Sequence, residues 1–248
     1  MTTIKILKPM SVLFFSLAIF SCNNSGSSNS EAKTDSTTTM TDTTTTATTV
    51  APPAPSMAAP FDVEEVTHKV KNYAEWKTVF DADSDNRKAG GLENIAIGRN
   101  LSDSNEILLA FKVADVAKAK AFSTDPKLKE AMKKGGVISK PEFSIWHVIK
   151  FNPDSHEKQW VEVTHKVKNF DAWMKVYDSE GTTKRASEGM VDVALARGVD
   201  DSNMVKLVFD ITDLAKAKAS ISSDAKKKLM MSAGVEGKPN IQFYRDPE

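Results

Sequence analysis

Two histidines, His68 and His165, sit in the same seven-residue stretch, V-T-H-K-V-K-N, which runs from Val66 to Asn72 and again from Val163 to Asn169. An imidazole titrates close to neutral pH, so a matched pair could serve as general bases or hydrogen-bond donors. Alternation puts His68 on the face that carries Val66 and Val70, hence toward a buried side, where it either faces a cavity or is a satisfied core histidine. Arg99 and Arg197 occupy matched positions at the ends of later strands, where a guanidinium could bind an anionic group or form a salt-bridging rim. Arg87 and Arg185 match in the same way. Trp76 and Trp173 could line an aromatic ligand pocket, but large aromatics at helical spacing are core residues as a rule.

Other chemistries lack their residues. The four histidines, His68, His147, His156 and His165, form no close pair at ligand spacing, and the one cysteine, Cys22, lies far from them, so no metal site is expected. No glycine-rich phosphate loop and no G-x-S-x-G elbow is present, and no cofactor is implied; haem ligation by a histidine would need a roomy apolar pocket. Lysine plus arginine (33) balances aspartate plus glutamate (33), which removes the footprint of a nucleic-acid binder. The local lysine clusters, Lys127 to Lys134 and Lys226 to Lys228, read as solvated helix faces.

The elements that must position these side chains repeat with the stretch. Val66 and Val163 are 97 residues apart, and Gly136 and Gly234 are 98 apart, so one residue is added in the second copy, between the first helix and the next strand. D-S-N, A-K-A-K-A and Lys-Pro recur in the same register, which marks duplication of a whole domain. In the first copy, residues 64–70 alternate as a strand. A helix follows over residues 72–88, with Asn72 as N-cap and Gly90-Gly91 as its end. Residues 95–99 and 106–113 form a hairpin about L-S-D-S-N, and a second helical stretch over 116–134 is reset at Asp125-Pro126. A fourth strand covers residues 142–148. The second copy repeats this order and ends in a strand over 240–244. Strand, helix, strand, strand, helix, strand is the ferredoxin-like pattern of an α+β fold. Strands two and three are apolar on both alternating sets, so each sheet needs a second partner, and the other copy supplies it.

The first sixty residues read differently. Lys5 and Lys8 precede an apolar run from Ser11 to Phe20, too short to span a bilayer as a mature helix, so residues 1–21 read as a signal peptide. Ile19 and Ser21 before Cys22 resemble the lipobox of bacterial lipoproteins, from which Phe20 departs. That resemblance implies acylation of Cys22 and a chain held at the bacterial cell envelope, on its periplasmic or surface face, without spanning the membrane. Residues 22–60, rich in threonine, serine and proline, should form a disordered tether. The folded units are then 61–150 and 160–248, with 151–159 as linker.

T-H-K-V-K, W-K-x-V-F-D, the D-x-N hairpin, the alanine- and lysine-rich helix and the closing P-x-F strand together resemble the dimeric α+β barrel superfamily, in particular its antibiotic-biosynthesis-monooxygenase domains. The resemblance covers residues 62–150 and 160–246 and implies that domain 1 and domain 2 pair as an intramolecular dimeric α+β barrel. Activity does not follow, because a fold hosts many functions. The favoured reading is a non-catalytic small-molecule-binding or scaffolding module, and the alternative is a cofactor-independent monooxygenase- or cyclase-like enzyme acting on a small apolar molecule. Ala96, Gly98, Ala194 and Ala196 on the second strands favour room inside a barrel, whereas the leucines and Phe111 favour a packed interior.

Overall fold

The computed structural model describes residues 60–155 and 157–247. Eight strands and eight short helices follow one another in a repeated order. The first half runs β1 (Phe61–Lys69), α1 (Tyr73–Ala82), α2 (Ser84–Ala89), β2 (Leu92–Asn100), β3 (Glu106–Val113), α3 (Val116–Ser123), α4 (Pro126–Lys134) and β4 (Glu142–Phe151). The second runs β5 (Gln159–Val167), α5 (Phe170–Glu180), α6 (Thr182–Ser187), β6 (Met190–Gly198), β7 (Met204–Ile211), α7 (Leu214–Ser222), α8 (Asp224–Ser232) and β8 (Val235–Arg245).

Local chemistry accounts for the boundaries. Asn72 Oδ1 accepts from the backbone N–H of Ala74 at 2.9 Å, and Asn169 Oδ1 accepts from Ala172 at 2.8 Å, so each first helix starts on a side-chain cap. Asp125 accepts from the Lys127 N–H at 2.8 Å with Pro126 at the first helical position, which splits the second helical stretch at the expected place. The first helical stretch also breaks, contrary to the single helix expected over 72–88. In the second half the break is at Gly181, whose φ of +78° ends α5, and the one extra residue of that half falls here, inside the helical stretch. Gly136, with a φ of +73°, supplies the left-handed residue that turns the chain from α4 back to the sheet.

All strand pairs are antiparallel, and they close in the order β1-β3-β2-β8-β5-β7-β6-β4. The two seams between halves differ. β4 pairs with β6 along Trp146 to Phe151, whereas β2 meets β8 only at Arg99–Arg245 and Asn100–Tyr244. Beyond that contact the Asp246 N–H donates to Lys158 O at 2.8 Å, which continues the β5–β8 ladder. Each strand therefore has one face toward the helices and one toward the barrel interior. Val66, Ile107, Leu109 and Phe111 pack against Trp76, Phe80 and Ala119 on the helix side, and Val163, Val205, Leu207 and Phe209 do the same with Trp173, Tyr177 and Ala217. Interior clusters are smaller: Val63, Trp146, Val148 and Ala196 form one, and Leu108, Trp160 and Tyr244 another.

Candidate functional site

The barrel interior is open, not filled. A cavity of about 350 Å³ lies within it, in the range of about 300–1,000 Å³ usual for small-molecule sites. Its wall is apolar on most sides, with Val63, Val148 and two indoles, Trp146 and Trp160. Ala96, Ala110, Ala194 and Ala196 leave the room. Gly98 works differently, since a Cβ there would stand 2.6 Å from the Trp160 ring; its missing side chain lets that indole form the wall. The segment between β4 and β5 closes one side: Ser155 and Glu157 line the cavity, and Asp210 at the end of β7 holds them by accepting from Ser155 Oγ and from the Glu157 N–H at 3.0 Å.

Three ionisable side chains meet in this apolar space. Lys206 on β7 donates to Glu65 of β1 and, at 3.1 Å, to Glu162 of β5, and its ammonium nitrogen lies 4.7 Å from the centre of the Trp146 ring. All three side chains are under a tenth exposed. Burial pushes the Glu162 carboxyl up to about 7, against a smaller opposing hydrogen bond from Trp160, and it pulls the Lys206 amine down to about 7. With all three charged, the cluster would hold one net negative charge in a low-dielectric interior, which favours a proton on a carboxyl and is in line with the raised Glu162. The trio is thus a buried, exchangeable proton site at neutral pH, suited to general acid–base work or to binding one polar group of an otherwise apolar ligand.

The residues singled out by sequence lie elsewhere. His68 and His165 are on the helix side of β1 and β5, with ring centres 5.7 Å from Trp76 and 5.6 Å from Trp173. Neither ring nitrogen of either histidine has a hydrogen-bond partner, and burial lowers both to about 4, so both are neutral imidazoles in core pockets of about 50 and 60 Å³. They do not line the barrel cavity, contrary to the cavity role considered for them, and they are core histidines without the expected partner. Trp76 and Trp173 stack on Phe80 and Tyr177 in the same two cores. Arg99 donates through Nε to Ser104 O at 2.8 Å and lies over Tyr73, and Arg197 donates to Ser202 O at 2.7 Å and lies over Phe170. Both guanidiniums brace a hairpin outside the barrel. Arg185 is clamped by Asp192 at 2.6 and 2.7 Å, and Arg87 by Phe80 O at 2.5 Å. Lys226 departs from the solvated face expected of its cluster: it is buried between Glu180 and Glu188. Cys22, with the rest of residues 1–59 on which the expected signal peptide and nearly all of the expected tether fall, and His156 lie outside the described residues.

Sequence reasoning passed over Glu65, Glu162 and Lys206. A signal was present in each case: Glu65 and Glu162 are matched carboxylates in the first strands, and Lys206 interrupts an apolar strand where the other copy has Leu108. A charge inside such a run needs a buried partner.

No protein-family model matches the chain, and no curated protein matches it in sequence. Solved structures do resemble it. An anthrone oxidase-like protein is 11% identical with a TM-score of 0.53, the match covering 76% of this chain and 92% of that one. A candidate monooxygenase from Fusobacterium nucleatum is 14% identical with a TM-score of 0.51, covering 76% and 92%. A ferredoxin-fold protein from Listeria monocytogenes related to antibiotic biosynthesis monooxygenases is 11% identical, with a TM-score of 0.44 and coverage of 77% and 96%. At these identities the likeness is one of fold: an α+β protein built on an eight-stranded antiparallel sheet, among monooxygenase-like neighbours.

Proposed function

We propose that this chain is a small-molecule-binding protein: two ferredoxin-like units, 61–150 and 160–248, joined by 151–159, close on each other as an intramolecular dimeric α+β barrel that takes one small, mostly apolar molecule into its interior. The observation that carries this reading is the buried Glu65–Lys206–Glu162 cluster opening on a cavity walled mostly by apolar side chains. An ion cluster inside a barrel is a poor way to stabilise it, since well-packed hydrophobic residues of similar volume do as well or better. The position matched to Lys206 in the first half is Leu108, so the fold accepts an apolar residue there. The cluster has a natural use as the polar end of a ligand site. Acylation of Cys22 would hold this site at the bacterial envelope on the 22–60 tether, with the membrane as a lipid-mediated partner.

A second reading is supported by the same cluster. A carboxyl kept protonated beside a carboxylate and an amine can give and take protons at neutral pH, which is what a cofactor-independent monooxygenase- or cyclase-like enzyme would require of it. The test of the binding reading is direct. Full-length protein is titrated with small apolar alcohols and aromatic compounds while its tryptophan fluorescence is followed, because Trp146 and Trp160 line the cavity. The Ala196→Trp variant, which fills the cavity, should abolish saturable binding while leaving the far-UV spectrum unchanged. Binding that survives the filled cavity would place the ligand elsewhere and refute this reading.

A further inference from the structure

Lys206 is the one amine among the described residues that line the cavity, and its surroundings differ from those of a structural lysine. The ammonium nitrogen is held between two carboxyl groups that come from different strands, β1 and β5, and it lies against the face of Trp146. Two arrangements of the same protons leave this trio neutral. In one, Lys206 is an ammonium, one glutamate is ionised and the other is a carboxylic acid. In the other, the proton has moved from nitrogen to the ionised carboxylate, and the trio comprises a free amine and two carboxylic acids. The second has no charge at all, and an interior walled by valine, alanine and tryptophan favours it far more than water would. A single proton transfer over hydrogen-bond distance therefore exposes a nucleophilic lone pair and at once supplies two acids beside it.

We propose that Lys206 forms a Schiff base with an apolar aldehyde or ketone bound in the barrel, with Glu65 and Glu162 as its proton donors and acceptors. This rests on the binding reading above and names the reacting group of the ligand. The amine lone pair attacks the carbonyl carbon, the carbonyl π pair moves to oxygen, and that oxygen takes a proton from one carboxylic acid to give the carbinolamine. The resulting carboxylate accepts a proton from the nitrogen, the second carboxylic acid protonates the hydroxyl, the C–O bond breaks to release water as the C=N bond forms, and the iminium nitrogen returns its proton to the second carboxylate. Carbonyl plus amine gives imine plus water, with no oxidant or reductant consumed. A mostly apolar wall with a single amine suits a carbonyl compound whose remaining surface is hydrocarbon or aromatic. The pseudo-equivalent Leu108 carries no amine, so one adduct per chain is expected.

The experiment uses full-length protein at neutral pH, benzaldehyde as the probe and sodium cyanoborohydride to reduce any imine to a stable secondary amine, with the modified lysines located by peptide mass spectrometry. Lys206 should be modified on the order of tenfold or more faster than the surface lysines. Benzyl alcohol, which fits the same space but has no carbonyl, should slow that labelling. The Lys206→Arg variant, which keeps the charge but not the nucleophilic amine, should lose the fast adduct and retain only the surface background. If benzyl alcohol binds the cavity and Lys206 is modified no faster than surface lysines, the Schiff base is refuted and the binding reading stands. If neither compound binds and no fast adduct forms, both are refuted. Mapping on the wild-type chain decides the matter even where a variant folds poorly.

Discussion

Replacing Glu64 by valine should stabilise this protein, and by an amount that depends on pH in a defined way. Glu64 is 1% exposed, on the helix side of β1, and neither carboxyl oxygen has a hydrogen-bond partner. It shares a pocket with Val66, His68, Trp76, Phe80 and Arg87, but the Arg87 guanidinium donates to Phe80 O. Burial raises the carboxyl from its ordinary 4.5 to about 7. The folded state therefore binds more proton than the unfolded state between these values, and stability falls as pH rises through that window. A shift of this size corresponds to roughly 3 kcal/mol lost once the pH exceeds about 7. The second half carries Val161 at the matched position, fully buried, so the fold accepts valine there. The Glu64→Val variant should gain about 3 kcal/mol at pH 8, less about 1 kcal/mol for the smaller side chain. Near pH 4 the gain should vanish, because the wild-type carboxyl is then protonated in both states. Urea denaturation of both chains across this range gives the difference curve, and Glu64→Gln, which keeps the shape and loses the charge, separates the electrostatic part. A difference that does not change with pH would show that Glu64 is neutralised by a partner and would refute the reasoning.

Three further outcomes follow from the same structure. His68 and His165 are lowered from 6.5 to about 4 by burial, so each supports stability that is complete above the unfolded value and lost as pH falls toward 4. Their imidazole proton resonances should stay at neutral positions down to about pH 5, and a midpoint near 6.5 would contradict their burial. Gly98→Ala puts a Cβ against the Trp160 ring at 2.6 Å and should cost about 1–3 kcal/mol in a thermal or urea melt, with a changed near-UV spectrum as the indole moves. Cys22→Ala should release the chain from the membrane fraction of its host, and a variant that still sediments with membranes removes the lipid anchor from the proposal.

Much of the frame was legible before folding, because caps, breaks and alternation are local. Asn72, Asn169 and the Asp125-Pro126 pair declare helix starts through groups one turn away, and the repeated motifs give the order of elements in both halves. Alternation also placed His68 and Val66 on one face of a strand. It did not say which face was the barrel interior, since both alternating sets of β2 and β3 are apolar, and a period of two carries no sign. Hence the histidines can be read from sequence either as cavity or as core residues, while the cavity belongs to the opposite set, with Glu65, Ala110 and Trp146. The helix break at Gly181 was missed because the flanking residues continue a helical pattern.

The candidate site depended on closure of the barrel. Glu65 and Lys206 are 141 residues apart, on strands that are not neighbours in the sheet, and they meet only because β1 faces the adjacent pair β5 and β7 across a closed interior. Sequence by itself determined the elements, their repeated order and the presence of carboxylates and a lysine in apolar strands, since each of those is a property of a few consecutive residues. Only the tertiary structure decided that these charges share one cavity, because convergence across a barrel is fixed by strand order and register, which no local stretch contains.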